Sequence, residues 1–164
     1  MPDKELDNKL SNAGLDASYG DGTGLRTRRL SRTRDVKLLF QINQLFKDPQ
    51  QTQPYGGENI LNAIADFGQH GMTPQDFQIV ALVHAEGWRQ ILNNEARPCH
   101  EIANPFQREV EQLLAQGVEV YFCLNTARKK NVQAGHVIDG VKFVTSGVTA
   151  LADLQAEGFI YIQP

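Results

Sequence analysis

Three short apolar runs set the limits on how this chain can fold. Asp35–Asn43 (DVKLLFQIN) carries Val36, Leu38, Leu39, Phe40 and Ile42 almost without interruption. Asp76–His84 carries Phe77, Ile79, Val80, Leu82 and Val83, and Val118–Cys123 carries Val118, Val120, Tyr121 and Phe122. Runs this short and this unbroken suit strands covered on both faces, as in a parallel sheet, rather than strands with one face in water. Between them the apolar spacing changes to a helical period. Ile60, Leu61, Ile64, Ala65 and Phe67 recur within Glu58–Gln69, which Gly71 and Pro74 terminate. Phe106, Val110, Leu113 and Leu114 form a second stripe that starts after Asn104 as cap and Pro105 as first helical residue, and ends at Gly117. Trp88–Leu92 reads as a short amphipathic helix, Gly140–Val144 as a strand, Val148–Gln155 as a helix closed by Gly158, and Phe159–Ile162 as a last strand. This alternation predicts the α/β class: right-handed crossovers building a mostly parallel sheet of about five strands, with helices on both faces.

The length of 164 residues suits one domain with a substantial core. A net charge of -3 gives no general attraction to nucleic acid or to an anionic membrane, so no nucleic-acid partner is expected. No apolar run approaches the ~20 residues of a membrane span, so no membrane-spanning segment is expected. Residues 1–34 are rich in Gly, Asp, Asn, Ser and Thr and end in the basic run Arg26–Arg34; they read as an extended or partly disordered arm, with residues 35–164 as the single domain. No aromatic residue interleaves the basic run as base stacking requires, which favours a solvated role. The polar, acidic beginning of the chain is not a signal peptide, so a cytoplasmic location is expected, or a periplasmic one if a leader has been removed.

Chemistry concentrates at the ends of two of the strands. Cys123 closes Val118–Cys123, and Asn125 and Thr126 follow with helix-capping side chains ahead of Arg128, Lys129 and Lys130. A thiol there is expected near unpaired N–H groups and three cations, a setting that lowers its pKa and makes it a candidate nucleophile. The same position also suits a small buried hydrophobe. His84 ends its own strand at the same kind of place, as polar support or as a plain structural histidine. Gly56 and Gly57 separate the loop Lys47–Gly57 from the helix after it, where a glycine pair either holds an anion at a helix N-terminus or simply turns the chain. Cys99 and His100 lie in the loop Asn93–Asn104. With only two cysteines and no CxxC spacing, a metal site from Cys99 and His100, joined by Cys123 and His84, has donor atoms but no recognised ligand pattern. Cys99 is alternatively a resolving thiol or a bystander.

Taken together and in order, LVHAEGW (Leu82–Trp88), NPF (Asn104–Phe106), EQLLAQGVEVYFCLNT (Glu111–Thr126) and GVKFVTSGVTALADLQAEGFIYIQP (Gly140–Pro164) resemble the DsrE/DsrF-like family, over roughly Asp35 to the C-terminus. The resemblance implies a three-layer α/β/α fold with a five-stranded parallel sheet, assembled as a dimer, trimer or hexamer. It also implies that Cys123 occupies the position at which members of known sulfur chemistry accept a sulfane sulfur as a persulfide and pass it to a partner. On that footing the chain is a sulfur carrier or sulfurtransferase needing no cofactor, with Cys123 and His84 as catalytic residues and Asn125, Thr126, Arg128, Lys129, Gly56 and Gly57 as substrate-binding residues. Its partners would be a sulfur donor or acceptor protein. The alternatives from other classes are a non-catalytic oligomeric module binding a small ligand, in which Cys123 merely packs, and the Cys/His metal protein.

Overall fold

A computed structural model describes residues 24–48, 50, 51, 53–96 and 104–164. Among the described residues five strands, β1 (Val36–Ile42), β2 (Phe77–Val83), β3 (Glu119–Cys123), β4 (Lys142–Val144) and β5 (Ile160–Ile162), alternate with four α-helices, α1 (Gly57–Gln69), α2 (Gln107–Ala115), α3 (Leu124–Lys130) and α4 (Gly147–Ala156). The sheet order is β4-β3-β2-β1-β5, and every neighbouring pair is parallel. The three central strands are the three apolar runs of the sequence.

Side chains alternate across the sheet and so build two cores. Val36, Leu38, Phe40 and Ile42 of β1, Ile79, Ala81 and Val83 of β2, and Val120 and Phe122 of β3 face one side, packed with Ile60 and Phe67 of α1 and Val110 and Leu113 of α2. Leu39, Val80 and Leu82 face the other, where Ala150, Leu151 and Leu154 of α4 cover them together with Phe159. The result is a three-layer α/β/α fold whose second face, among the described residues, is closed by α4.

Local boundaries depart from the sequence reading where side chains, not periodicity, decide. The short helix expected at Trp88–Leu92 is a 3₁₀ helix over Ala85–Ile91. The helix expected from Pro105 begins two residues later, at Gln107, because Asn104 is held elsewhere. Its amide donates to the carbonyls of Gln90 (2.6 Å) and Leu92 (2.8 Å) while its oxygen accepts the N–H of Phe106. The loop after β1 is tied down. Phe46 and Pro54 form a bridge, the buried Gln90 amide donates to the carbonyls of Leu45 and Tyr55, and the Tyr55 hydroxyl donates to Pro164 O at 2.9 Å. Residues Arg26–Arg34 form neither strand nor helix and are almost all exposed. Among the described residues no helix is long and apolar enough to cross a membrane.

Candidate functional site

In a parallel sheet the carboxyl ends of all strands share one rim, and side chains of equal parity share one face. Pairing of Val83 with Phe122 places His84 and Cys123 side by side one step further along, on the face that α4 covers. Gln41 of β1, paired with Leu82, and Tyr161 of β5, paired with Leu39, point to the same face further back along their strands and are tied to His84 through their side chains. Gln41 Nε2 lies 2.8 Å from His84 Nε2, and the Tyr161 hydroxyl donates to Gln41 Oε1. Cys123, His84, Gln41 and Tyr161 thus share one face of the sheet in strand order β3-β2-β1-β5.

Gly147, the first residue of α4, joins the first two of these. Its N–H donates to Cys123 Sγ at 3.2 Å, and a Cβ on it would stand 3.2 Å from His84 Cγ and 3.5 Å from Nδ1. Cys123 is only 4% exposed. Burial is the largest single influence on this thiol and pushes its pKa up, but the N–H and hydroxyl of Thr126 and the N–H groups of Gly147 and Asn125 together outweigh it, so the pKa falls below that of an ordinary cysteine. Thr126 Oγ1 in turn accepts the N–H of Ala85 at 3.3 Å, which fastens the turn after β2 to the sulfur's surroundings. Ala85 holds a left-handed φ of 46°, a conformation that a non-glycine residue keeps only where its neighbours enforce it.

The source of this acidity differs from the expected one. The chain turns directly from β3 into α3, so Cys123 itself takes the capping position, and Asn125 and Thr126 fall inside the first turn rather than ahead of it. Arg128, Lys129 and Lys130 then occupy the last turn, where cations suit the helix dipole but stand away from the thiol. Arg128 donates to Asn125 Oδ1 at 3.0 Å, Lys130 reaches Glu86 at 2.9 Å, and Lys129 is exposed. None of the three cations is among the causes of the thiol's shift.

The glycine pair is corrected more sharply. Gly56 has φ 87°, and a Cβ there would fall 2.2 Å from Ile42 Cδ1. Gly57 borders a small void lined by Ala81, Val83, Val120 and Leu113, on the α1–α2 side of the sheet. The sheet therefore stands between this pair and the sulfur; the left-handed φ and the closeness of Ile42 account for Gly56, while a Cβ at Gly57 would make only ordinary contact with Pro54 at 3.7 Å. Cys99 and His100 lie outside the described residues. Among the described residues no three His, Cys, Asp or Glu side chains gather as a metal-ligand set.

Sequence reasoning named His84, Cys123 and Thr126 but passed over Gln41, Tyr161 and Gly147. The available signal was parity, since Gln41 is a polar residue inside the end of an apolar run and falls in step with Leu39.

Burial lowers the pKa of His84. With the folded value below the unfolded one, the native state forgoes protons that the unfolded chain binds, so stability is complete above the unfolded imidazole value of about 6.5 and declines as pH falls through the folded value. His84→Gln is expected to flatten that decline, as read by urea unfolding at pH about 7.5 and 5. An unchanged pH dependence in the variant would assign the acid sensitivity to other groups.

The pattern of the DsrE/DsrF-like family matches residues 37–164. The comparison with curated proteins gives no match. A protein of unknown function, MTH1491 from Methanobacterium thermoautotrophicum, is similar in structure, with TM-score 0.57, 22% identity, and coverage of 79% of this chain and 100% of that one. The ychN protein from E. coli is similar with TM-score 0.52, 21% identity, and coverage of 79% and 99%. At these identities the likeness is one of fold.

Proposed function

The chain belongs to the DsrE/DsrF-like family, and on that premise we propose that it is a sulfur carrier or sulfurtransferase in which Cys123 holds a sulfane sulfur as a persulfide. One observation carries the reading: the sulfur at the end of β3 lies among donors from the first turn of α3, Thr126 included, and from α4, whose combined effect lowers the thiol's pKa in spite of burial. In the loading step the thiolate attacks the outer sulfur of a donor R–S–SH; the new Cys–S–SH bond forms, the donor S–S bond breaks, and R–S⁻ leaves. In the unloading step an acceptor thiolate attacks that outer sulfur and returns Cys123 as a thiolate. Neither step needs an external oxidant or reductant, and no cofactor is invoked.

His84 supports the site as its immediate polar neighbour, while Asn125 and Thr126 contribute backbone and hydroxyl donors. Arg128 and Lys129, exposed on the same short helix, are proposed to meet an approaching anionic donor or acidic partner rather than to ionise the thiol. Homo-oligomer formation belongs to the same proposal. It is supported by apolar side chains left in water beside the rim, Val148 at 73% exposure and Leu124 and Phe143 less so. Light scattering of the purified protein reads the assembly size.

The near-complete burial of Cys123 favours a second reading, a packing thiol in a non-catalytic binding module. Alkylation rate against pH separates the two. A carrier gives a midpoint below that of free cysteine, and Thr126→Val moves it upward, slowing alkylation at neutral pH by roughly an order of magnitude. A thiol that stays inert up to the pH of unfolding, in wild type and variant alike, supports the packing role.

A further inference from the structure

The row on this face contains a sorting device for hydrogen-bond direction. The Tyr161 hydroxyl gives its proton to Gln41 Oε1 and has Gln163 Oε1 as a second acceptor at 3.5 Å. With its oxygen engaged, the Gln41 amide turns its NH₂ end toward His84, and an NH₂ can only donate. With the amide so turned, His84 Nε2 at 2.8 Å is placed to accept. A neutral imidazole carries one N–H, and an accepting Nε2 leaves that proton to Nδ1.

We propose that Tyr161 and Gln41 are positioning residues that fix His84 as the Nδ1–H tautomer and so make it a hydrogen-bond donor, not a base, toward the sulfur site. The Cγ–Nδ1 edge of the ring is the edge that lies against Gly147, the residue whose N–H already donates to Cys123 Sγ. An Nδ1–H on that side suits a negatively charged sulfur and has no lone pair with which to take the thiol proton. The burial that disfavours imidazolium acts in the same sense. Ionisation of Cys123 is then the work of the surrounding N–H groups and Thr126, and His84, which is not among the groups acting on the resting thiol, is left as a donor for an added persulfide sulfur. This last consequence rests on the function proposed above, whereas the tautomer does not.

The test is two-bond ¹H–¹⁵N correlation spectroscopy of histidine-labelled protein at pH about 8, where an ordinary imidazole is neutral, with His84 assigned through His84→Gln. Wild type is expected to show a protonated Nδ1 and an unprotonated, pyridine-type Nε2. Gln41→Glu replaces the NH₂ donor by an acceptor and is expected to invert the pattern, moving the pyridine-type shift to Nδ1. Tyr161→Phe, a near-isosteric change at a partly exposed position, frees the amide to turn and is expected to give both tautomers in comparable amounts. A wild-type His84 protonated on Nε2, or mixed, overturns the proposal, and so does a Tyr161→Phe protein that keeps only the Nδ1–H form. Because the spectra are read without any sulfur donor, an unreactive Cys123 leaves this result standing and fails only the transfer reading.

Discussion

Cys123→Ser is expected to lose sulfur acceptance by at least about a thousandfold, the scale on which removal of a nucleophile acts, while the fold survives. Serine keeps the size of the side chain and an acceptor for the Gly147 N–H at the same place. Its hydroxyl does not ionise near neutral pH and is not an acceptor of sulfane sulfur. The contrast with Cys123→Ala is informative, because alanine leaves that buried N–H without its partner at a cost of about 1–3 kcal/mol. Alanine therefore mixes a stability loss with the chemical one, and serine does not. Reduced protein is incubated with inorganic polysulfide and its intact mass recorded, with far-ultraviolet circular dichroism as the fold control. Wild type is expected to gain sulfur on Cys123 and the serine variant none. Equal gain in both proteins, lost instead in Cys99→Ser, would transfer the acceptor role to Cys99.

The chain also shows which levels of organisation a single sequence exposes. Strand and helix alternation was legible because a strand covered on both faces demands an unbroken apolar run, and β1, β2 and β3 each have one. The edge strands β4 and β5 were placed with a residue or two too many, since short edge strands end where pairing ends and composition says little about that. Position on the carboxyl rim was legible too, because His84 and Cys123 close runs of the same type. What composition could not supply was the direction of side chains. Three cations within seven residues of a thiol look like its electrostatic partners, but a helix rises about 1.5 Å per residue and carries them to its far end. The groups that do act on the sulfur are mostly backbone N–H groups, and these have no letter in the sequence. Gly147 is the clearest case: its importance lies in an N–H toward Cys123 and in the absence of a Cβ toward His84.

Gly87→Ala is expected to produce the largest loss of stability of any single methyl addition in the described core, about 3 kcal/mol or more, at the upper end of what overpacking produces. A Cβ at this position would lie 2.2 Å from Ile42 O and 2.9 Å from Ile42 C. The obstacle is backbone, so no rotamer change relieves it. Gly56→Ala, by comparison, meets side chains rather than backbone, the end of Ile42 and the Pro164 ring at 3.1 Å, though its φ of 87° adds strain of its own. At Gly87 the 3₁₀ helix over Ala85–Ile91 must lift from the end of β1, and the carbonyl it strikes already accepts the His84 N–H at 3.1 Å. That bond holds the end of β2 in register with β1, and the next residue, Ala85, donates to Thr126 Oγ1. Displacement at Gly87 is thus passed to both His84 and Thr126 within three residues. Urea unfolding should show a lower midpoint with unchanged slope, the sign of a less stable native state with the same unfolded chain. Below that midpoint the alkylation profile of Cys123 should move toward that of a free thiol, because Thr126 no longer holds its hydroxyl on the sulfur. A variant as stable as wild type would mean that the helix can leave β1 without cost. One destabilised but with an unaltered thiol profile would show that the turn after β2 does not position the sulfur's donors.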